Sequence, residues 1–412
     1  MKRLALNIIA VFYINVVIFF SVSGQGQSTV SADTTSERAF KRLDIFPAIS
    51  YSPETDLTLG AIGIKYFDLA KGDLCTPISN LEFVAVYTLN SQIIIETRWE
   101  IFTAKNLWRI RGEAYFNRFP DRNYGIGNNA AALVVEVDGA SVSDTLNYLN
   151  FDSDRIKFSP VVLRKLRPNL YFGLQYDMEY LYHLEITADQ HYFINEDALV
   201  IKDMAVDGIR SGIGFQLLFD NREQPINPLK GSLISFNNLN YGGFLGSDFG
   251  FTTFYLDARH YLNTHKNQTL ALRAYGSAKF TKDEIPMRAL SRVGGDKFVR
   301  GYFRGTYQDH HMAAFEVEYR LPFWPEDTDA KMWQVWKRLG LVGFIGGAQV
   351  FDNISDFQID NFNLGVGGGL RILFNPQSRV NLRIDYALGL SNGSDGINKR
   401  QSGLYFHLGE AF

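Results

Sequence analysis

The sequence predicts an all-β fold: a transmembrane antiparallel β-barrel of sixteen strands that occupies most of the chain. Three observations lead there. The N-terminus carries an export signal, apolar and polar residues alternate with period two from Leu43 onward, and short polar turns alternate with long loops between the candidate strands.

The export signal comes first. Lys2 and Arg3 form a positive start, Leu4 to Phe20 is apolar apart from Asn7 and Asn15, and Val22-Ser23-Gly24 offers small residues for cleavage. Residues 1–24 are read as a signal peptide with Gln25 as the new terminus. Residues 25–42 are polar and rich in Ser and Thr, and are read as a flexible leader. No later segment holds the roughly 18 consecutive apolar residues that a spanning helix needs, so any membrane crossing must use strands. Residues 43–412 are assigned to the barrel.

The clearest strand runs from Val380 to Leu390. Val380, Leu382, Ile384, Tyr386, Leu388 and Leu390 face one way, and Asn381, Arg383, Asp385, Ala387 and Gly389 the other. The same grammar recurs at 95–101, 170–180 and 315–321. In a membrane barrel the apolar face meets lipid and the charged face lines the lumen. A charge at Ile384 is therefore expected to be costly, and a polar swap at Asp385 to be cheap.

Sixteen candidate strands follow, near 43–51, 56–68, 79–90, 92–102, 107–118, 152–165, 169–183, 208–219, 230–241, 249–263, 268–280, 312–323, 339–351, 361–374, 378–391 and 402–412. The even count puts both ends of the barrel on one side of the membrane. Connections at 103–106, 167–168, 263–267 and 375–377 are short. Those at 119–151, 183–207 and 281–311 are long. Residues 324–338 break the rule, with Met332, Trp333, Val335 and Trp336 among charges, and are read as a packed turn or a short interfacial helix.

Composition agrees. The 412 residues carry a net charge of −3, which gives no basic excess for nucleic acid. Aromatics make up 14% of the chain and glycine is frequent, as strand-rich membrane barrels require. Cys75 is the sole cysteine and is read as a half-buried structural residue. His310 and His311 are adjacent on an extended segment, so their side chains point apart, and no acid stands at metal-ligand spacing in the sequence. They are read as surface-loop residues. Gly365-Val366-Gly367-Gly368-Gly369 lacks the lysine and helix of a phosphate loop and is read as a place where the strand bends. No residue pattern points to catalysis, a cofactor or a metal.

The most specific stretch is Gly294-Gly295-Asp296-Lys297-Phe298-Val299-Arg300-Gly301-Tyr302-Phe303-Arg304-Gly305, between the eleventh and twelfth candidate strands. It resembles the Val-Arg-Gly-Phe/Tyr loop of the BamA/TamA superfamily of bacterial surface-antigen barrels. Phe315 to Pro322 resembles that family's following strand, Phe219 to Ser232 its turn into strand nine, Leu341 to Asp352 its strand thirteen, and Leu404 to Phe412 its closing strand.

The resemblance implies a loop folded into the lumen as a lid, comprising Val299, Arg300, Gly301 and Tyr302. It implies Glu318 as the lumenal partner of Arg300, with Glu316 on the same face as a substitute. On the closing strand, Leu404, Phe406, Leu408 and Phe412 share one face, and Gly409 stands at the family's kink. The family's strand thirteen carries a second acid two positions after its aromatic, where this chain has Gly346. Arg300 is therefore expected to lean on Glu318.

The functions implied are insertion or export of outer-membrane proteins through a weak seam between strands 1 and 16. Partners would be outer-membrane lipid, unfolded or exported client proteins, and a separate periplasmic partner, since the family's usual POTRA modules have no room here and the chain looks like the POTRA-less branch. The rival readings are an accessory or structural barrel subunit of a larger complex, and a diffusion channel.

Overall fold

The computed structural model describes residues 43–52, 56–70, 73, 76–128, 149–187, 204–281, 285–322, 338–375, 379–391 and 401–412. The proposed signal peptide, the leader, Cys75 and the 324–338 connection apart from Arg338 lie outside the described residues.

Sixteen long strands form the barrel. They are β1 (Leu43–Ser52), β2 (Asp56–Phe67), β3 (Ser79–Thr88), β4 (Ile93–Phe102), β5 (Trp108–Arg118), β6 (Leu149–Arg167), β7 (Leu170–Thr187) and β8 (Gly208–Asp220), then β9 (Gly231–Tyr241), β10 (Phe251–His265), β11 (Gln268–Thr281), β12 (His311–Pro322), β13 (Leu339–Phe351), β14 (Asn363–Asn375), β15 (Val380–Gly389) and β16 (Ser402–Leu408). Each pairs antiparallel with the next, and β16 returns to β1. Among the described residues, no helix is long and apolar enough to cross a membrane.

The alternation in the sequence is the alternation of the wall. In β15, Arg383 and Asp385 are 2% and 0% exposed, whereas Tyr386 and Leu388 are 53% and 39% exposed. The apolar side chains point out of the barrel and the charged ones into it. A soluble protein would present the reverse, so this face is built for lipid. Closure also satisfies nearly every strand's backbone within the sheet, which a bilayer demands.

Tight turns hold the short-loop side. Pro168-Asn169 joins β6 to β7 and Lys266-Asn267 joins β10 to β11, with Asn169 and Asn267 at positive φ. Asparagine tolerates that backbone region better than most residues. On the opposite side β6 and β7 run 19 and 18 residues. A strand of roughly 9–11 residues crosses a bilayer, so this hairpin rises well beyond it. The short strand Asp121–Asn123 pairs with its raised part at Leu149–Phe151.

The observed strands match the predicted ones in order and position, with three differences. The β6–β7 hairpin is longer at its top than the periodicity suggested. The long loop before β12 contains its own two-stranded hairpin, Ser291–Val293 with Tyr307–Asp309. The closing strand ends at Leu408, not Phe412.

The seam is thin. β15 and β16 pair from Leu382–Leu408 to Leu388–Ser402. Across β1 and β16 the described ladder is the single pair Tyr51–Phe406.

Candidate functional site

The lumen is occupied by the loop between β11 and β12. Its first arm, Ile285 to Leu290, packs with Phe151 of β6, Leu239 and Tyr241 of β9 and Phe251 of β10. Its hairpin then brings Val293, Val299, Tyr302 and Tyr307 against Met312 and Ala314 of β12 and Ala348 and Val350 of β13. Apolar lid residues thus cover the few apolar positions of a mostly charged inner wall, which seats the loop by removing both surfaces from water.

The tip is a compact turn. Gly294 N–H donates to Phe298 O at 2.8 Å, and Gly295 N–H donates to Tyr302 O at 2.8 Å. Val299 sits at φ 56°, buried. A β-branched residue there costs on the order of 1–3 kcal/mol, and such geometry persists only where surrounding contacts over-determine it. The contact that does so is next in sequence.

Arg300 is 2% exposed. Its Nη2 donates to Glu318 Oε2 of β12 at 2.6 Å, and its Nη1 donates to Asp385 Oδ2 of β15. Its guanidinium lies over the Phe344 ring of β13, 3.5 Å from the centroid. Two carboxylates and an aromatic face suit a planar, forked cation, and an ammonium would match them poorly. The same carboxylates hold wall arginines: Arg320 donates to Glu318 at 2.8 Å and Arg371 to Asp385 at 2.6 Å. Arg371 also donates to Glu410 at 2.7 Å.

This geometry revises the sequence expectations. Arg300 does not depend on Glu318 alone, because the second acid comes from β15 as Asp385. A polar swap at Asp385 therefore breaks a buried ion network and is no longer expected to be cheap. Glu316 faces the lumen but engages Arg273 at 3.3 Å, not Arg300. Arg273 in turn donates to the Lys297 carbonyl at 2.9 Å, so Glu316 meets the lid through an intermediary.

Gly346, where the family has an acid, leaves room for the lid. A Cβ there would stand 3.2 Å from Glu316 Cγ and 3.7 Å from Val299 Cα. Gly365 is tighter still, with the Arg300 carbonyl 2.4 Å from its Cβ position. The glycine run also has a second role. Its first member is a seat for the lid backbone.

The rest of the lid is held from β14 to β16. Tyr302 Oη donates to Leu364 O at 2.7 Å and accepts from Ser391 N–H at 2.9 Å. Gly301, at φ 110°, donates its N–H to Tyr405 Oη at 3.2 Å. Phe303 N–H donates to Gln401 at 2.8 Å. Asp385, Tyr405, Gln401 and Gly365 were not singled out from sequence as lid contacts. Parity placed Asp385 in the lumen, but parity cannot say which loop will meet it.

On the closing strand, Leu404 faces outward at 43% exposure and Phe406 lies opposite Tyr51. Leu408 closes the pairing with Leu382. At Gly409, φ 91°, the chain leaves the strand. Phe412 then lies inside the barrel, buried with Tyr261 and Ala271, and its main-chain oxygen accepts from Arg320 at 3.1 Å. The expectation that Phe412 shares the outward face of Leu404 is therefore corrected. Period two holds only while the strand lasts, and the strand stops first.

A second loop roofs the lid. Asp121 accepts from Arg288 at 2.6 Å and Arg292 at 2.8 Å, and Tyr124 stacks on Phe303 with centroids 6.2 Å apart. Burial alone would raise the Asp121 carboxyl, but Arg292, Arg288 and Arg304 outweigh it and hold it well below the usual carboxylate range.

His310, read as a surface-loop residue with no acid at metal-ligand spacing in the sequence, does meet two acids in space. Its Nδ1 lies 2.7 Å from Asp352 and 3.3 Å from Asp309. Asp352 comes from the other end of the β12–β13 hairpin, so no local spacing could have announced it.

A family model described as the Omp85 superfamily domain matches residues 99–412. No curated protein matches the chain. Among solved structures, BamA from Haemophilus ducreyi lacking POTRA domains 1–3 is similar at a TM-score of 0.54 and 12% identity, covering 89% of this chain and 70% of that one. CdiB from Escherichia coli is similar at 0.58 and 9%, covering 91% and 64%. CdiB from Acinetobacter baumannii gives 0.55 and 10%, covering 90% and 60%. The chain thus spans less than two thirds of either CdiB, and at these identities the likeness is one of fold. The family match covers most of the chain, including the lid and every wall strand that touches it. This sixteen-stranded barrel, with Arg300 bound across its lumen, belongs to the Omp85 superfamily.

Proposed function

We propose that the chain works in the bacterial outer membrane, where it assists the insertion or export of other proteins. Its clients are unfolded or exported chains, and a separate periplasmic partner delivers them. Residues 1–24 are its export signal and 25–42 its leader, so mature protein begins at or near Gln25.

The observation that carries this reading is the pairing of a filled lumen with a thin seam. A lid bound through Arg300 to Glu318 and Asp385 obstructs simple diffusion through the barrel. The seam, joined in the described ladder by Tyr51–Phe406 alone, is the part of the wall that costs least to open. An opened seam presents strand edges with free backbone donors and acceptors, and an extended client chain can pair with them.

The test is site-specific photo-crosslinking in native membranes. A photoreactive residue at Tyr51 or Phe406 is expected to capture newly exported outer-membrane proteins, and one at Tyr386 on the lipid face is expected not to. A folded barrel that yields no client adduct from either seam position overturns the proposal. A large, steady conductance from the intact barrel in planar bilayers favours the diffusion channel instead.

A further inference from the structure

The β13–β14 loop, residues 352–362, does not stand free above the barrel. It folds back over the outer face of the wall. A chain of aromatic contacts on outward-facing positions holds it there. Phe315 points outward because its neighbours Glu316 and Glu318 point in. Phe362 lies 5.6 Å from Phe315, Phe357 lies 6.0 Å from Phe362, and Phe357 lies 5.8 Å from Phe351 (centroid distances).

A polar residue shows the same arrangement independently. Gln349 occupies an outward position of β13, between lumenal Ala348 and Val350, yet it is only 2% exposed. The loop covers it. Gln349 Oε1 accepts from Gln358 N–H at 3.3 Å, and its Nε2 reaches Asp356 O at 3.5 Å. An amide facing hydrocarbon without partners would be costly, so the loop main chain serves as its solvent.

So placed, the loop leaves Ile354, Phe357 and Ile359 exposed at 58%, 42% and 80%, Phe357 while its ring edge rests on Phe351. They continue the apolar outer surface formed lower down by Ile345, Val366 and Leu370. Asp352, Asp356 and Asp360 alternate with them along the same loop and are exposed. One loop thus carries an apolar side and an acidic side at the rim of the lipid face. That is the arrangement of a segment lying in a membrane interface, with apolar groups in the acyl boundary and charges among headgroups.

We infer that the β13–β14 loop is an interfacial anchor that buries Ile354, Phe357 and Ile359 in the outer leaflet of the membrane. This rests on the reading of the barrel as an outer-membrane protein with its long loops outside. The occupant is lipid, because the loop's apolar side is continuous with the lipid face of the strands.

Spin-label accessibility tests it. In a Cys75→Ser background, single Phe357→Cys, Ile359→Cys, Ser355→Cys and Val366→Cys variants are labelled and reconstituted in lipid nanodiscs. Collisions with lipid-soluble oxygen and with a water-soluble nickel chelate are then compared. Val366→Cys reports barrel insertion by itself, so failure of that reading is seen separately. With Val366 oxygen-dominated, Phe357 and Ile359 are expected to be oxygen-dominated too, and Ser355 nickel-dominated. Nickel-dominated signals at Phe357 and Ile359 overturn the anchor. Protection of those two sites in native membranes but not in nanodiscs also overturns it, and assigns the surface to a protein partner.

Discussion

Arg300, on the lid, and Asp385, on β15, meet inside the barrel although 85 positions separate them in the chain. With Glu318 they make one three-residue joint that fastens a loop to two distant parts of the wall.

That joint predicts a coupled mutational pattern. Removing one partner of a buried ion pair costs about 3–5 kcal/mol, with less lost where water reaches the site. Arg300→Ala, Glu318→Ala and Asp385→Asn are each expected to expose the lid to protease in intact membranes. Arg300→Ala combined with Glu318→Ala should lose less than the sum, since the two share one interaction beside the separate contacts of Arg300 with Asp385 and Glu318 with Arg320. Arg300→Lys should restore protection only in part. Glu316→Gln should loosen the lid less than Asp385→Asn does, because Glu316 touches Arg273 instead. Strict additivity, or equal effects of the last two, removes the joint.

A second prediction concerns the glycine seat. At Gly365 a methyl group would press on the Arg300 carbonyl, which stands 2.4 Å from the Cβ position, whereas at Gly343 nothing lies within 4 Å. Overpacking of this kind costs roughly 1–3 kcal/mol. Gly365→Ala should raise lid protease sensitivity and Gly343→Ala should not. Matching behaviour of the two variants would show that the lid does not rest on β14.

The lipid face gives a third. Ile384 points outward between lumenal Arg383 and Asp385. Ile384→Arg should destabilise folding into bilayers by roughly 2–4 kcal/mol if the position lies near the midplane. The check is a urea-dependent folding equilibrium in large vesicles. Tolerance there equal to that of an exposed loop position would refute the outward assignment.

The fourth uses pH. His310 accounts for one fastening of the β13–β14 loop, through Asp352. The Asp309 carboxylate beside it raises its pKa, burial opposes this, and the charge of Asp352 adds to the rise. A histidine raised in the folded state contributes stability that is complete below its unfolded value, about 6.5, and is lost as pH climbs through the folded value. A spin label at Ser355 should therefore gain mobility as pH climbs above the unfolded value. His310→Gln should abolish that transition. An unchanged transition in the variant would assign it to another group.

Much of the barrel was legible because it is a local property. Side chains of a strand alternate every residue, so Leu382, Arg383, Ile384 and Asp385 announce their faces without knowledge of the fold. Turn residues such as Pro168 and Asn267 mark the hairpins equally locally. The lid was legible for a different reason, since Val299-Arg300-Gly301-Tyr302 resembles a family's loop, and that resemblance also pointed to Glu318.

What the tertiary structure decided is everything that depends on closure. Only when sixteen strands curl into a ring do β12 and β15 face the same interior space, and only then can Glu318 and Asp385 share one arginine. The seat at Gly365, the inward path of Phe412 beyond Gly409, and the cover that residues 352–362 lay over Gln349 are of the same kind. Period two assigns a side chain to a face, because pleating is a property of neighbouring residues. It cannot say what lies across the lumen or over the outer wall, because those distances are set by the curvature and register of the whole sheet.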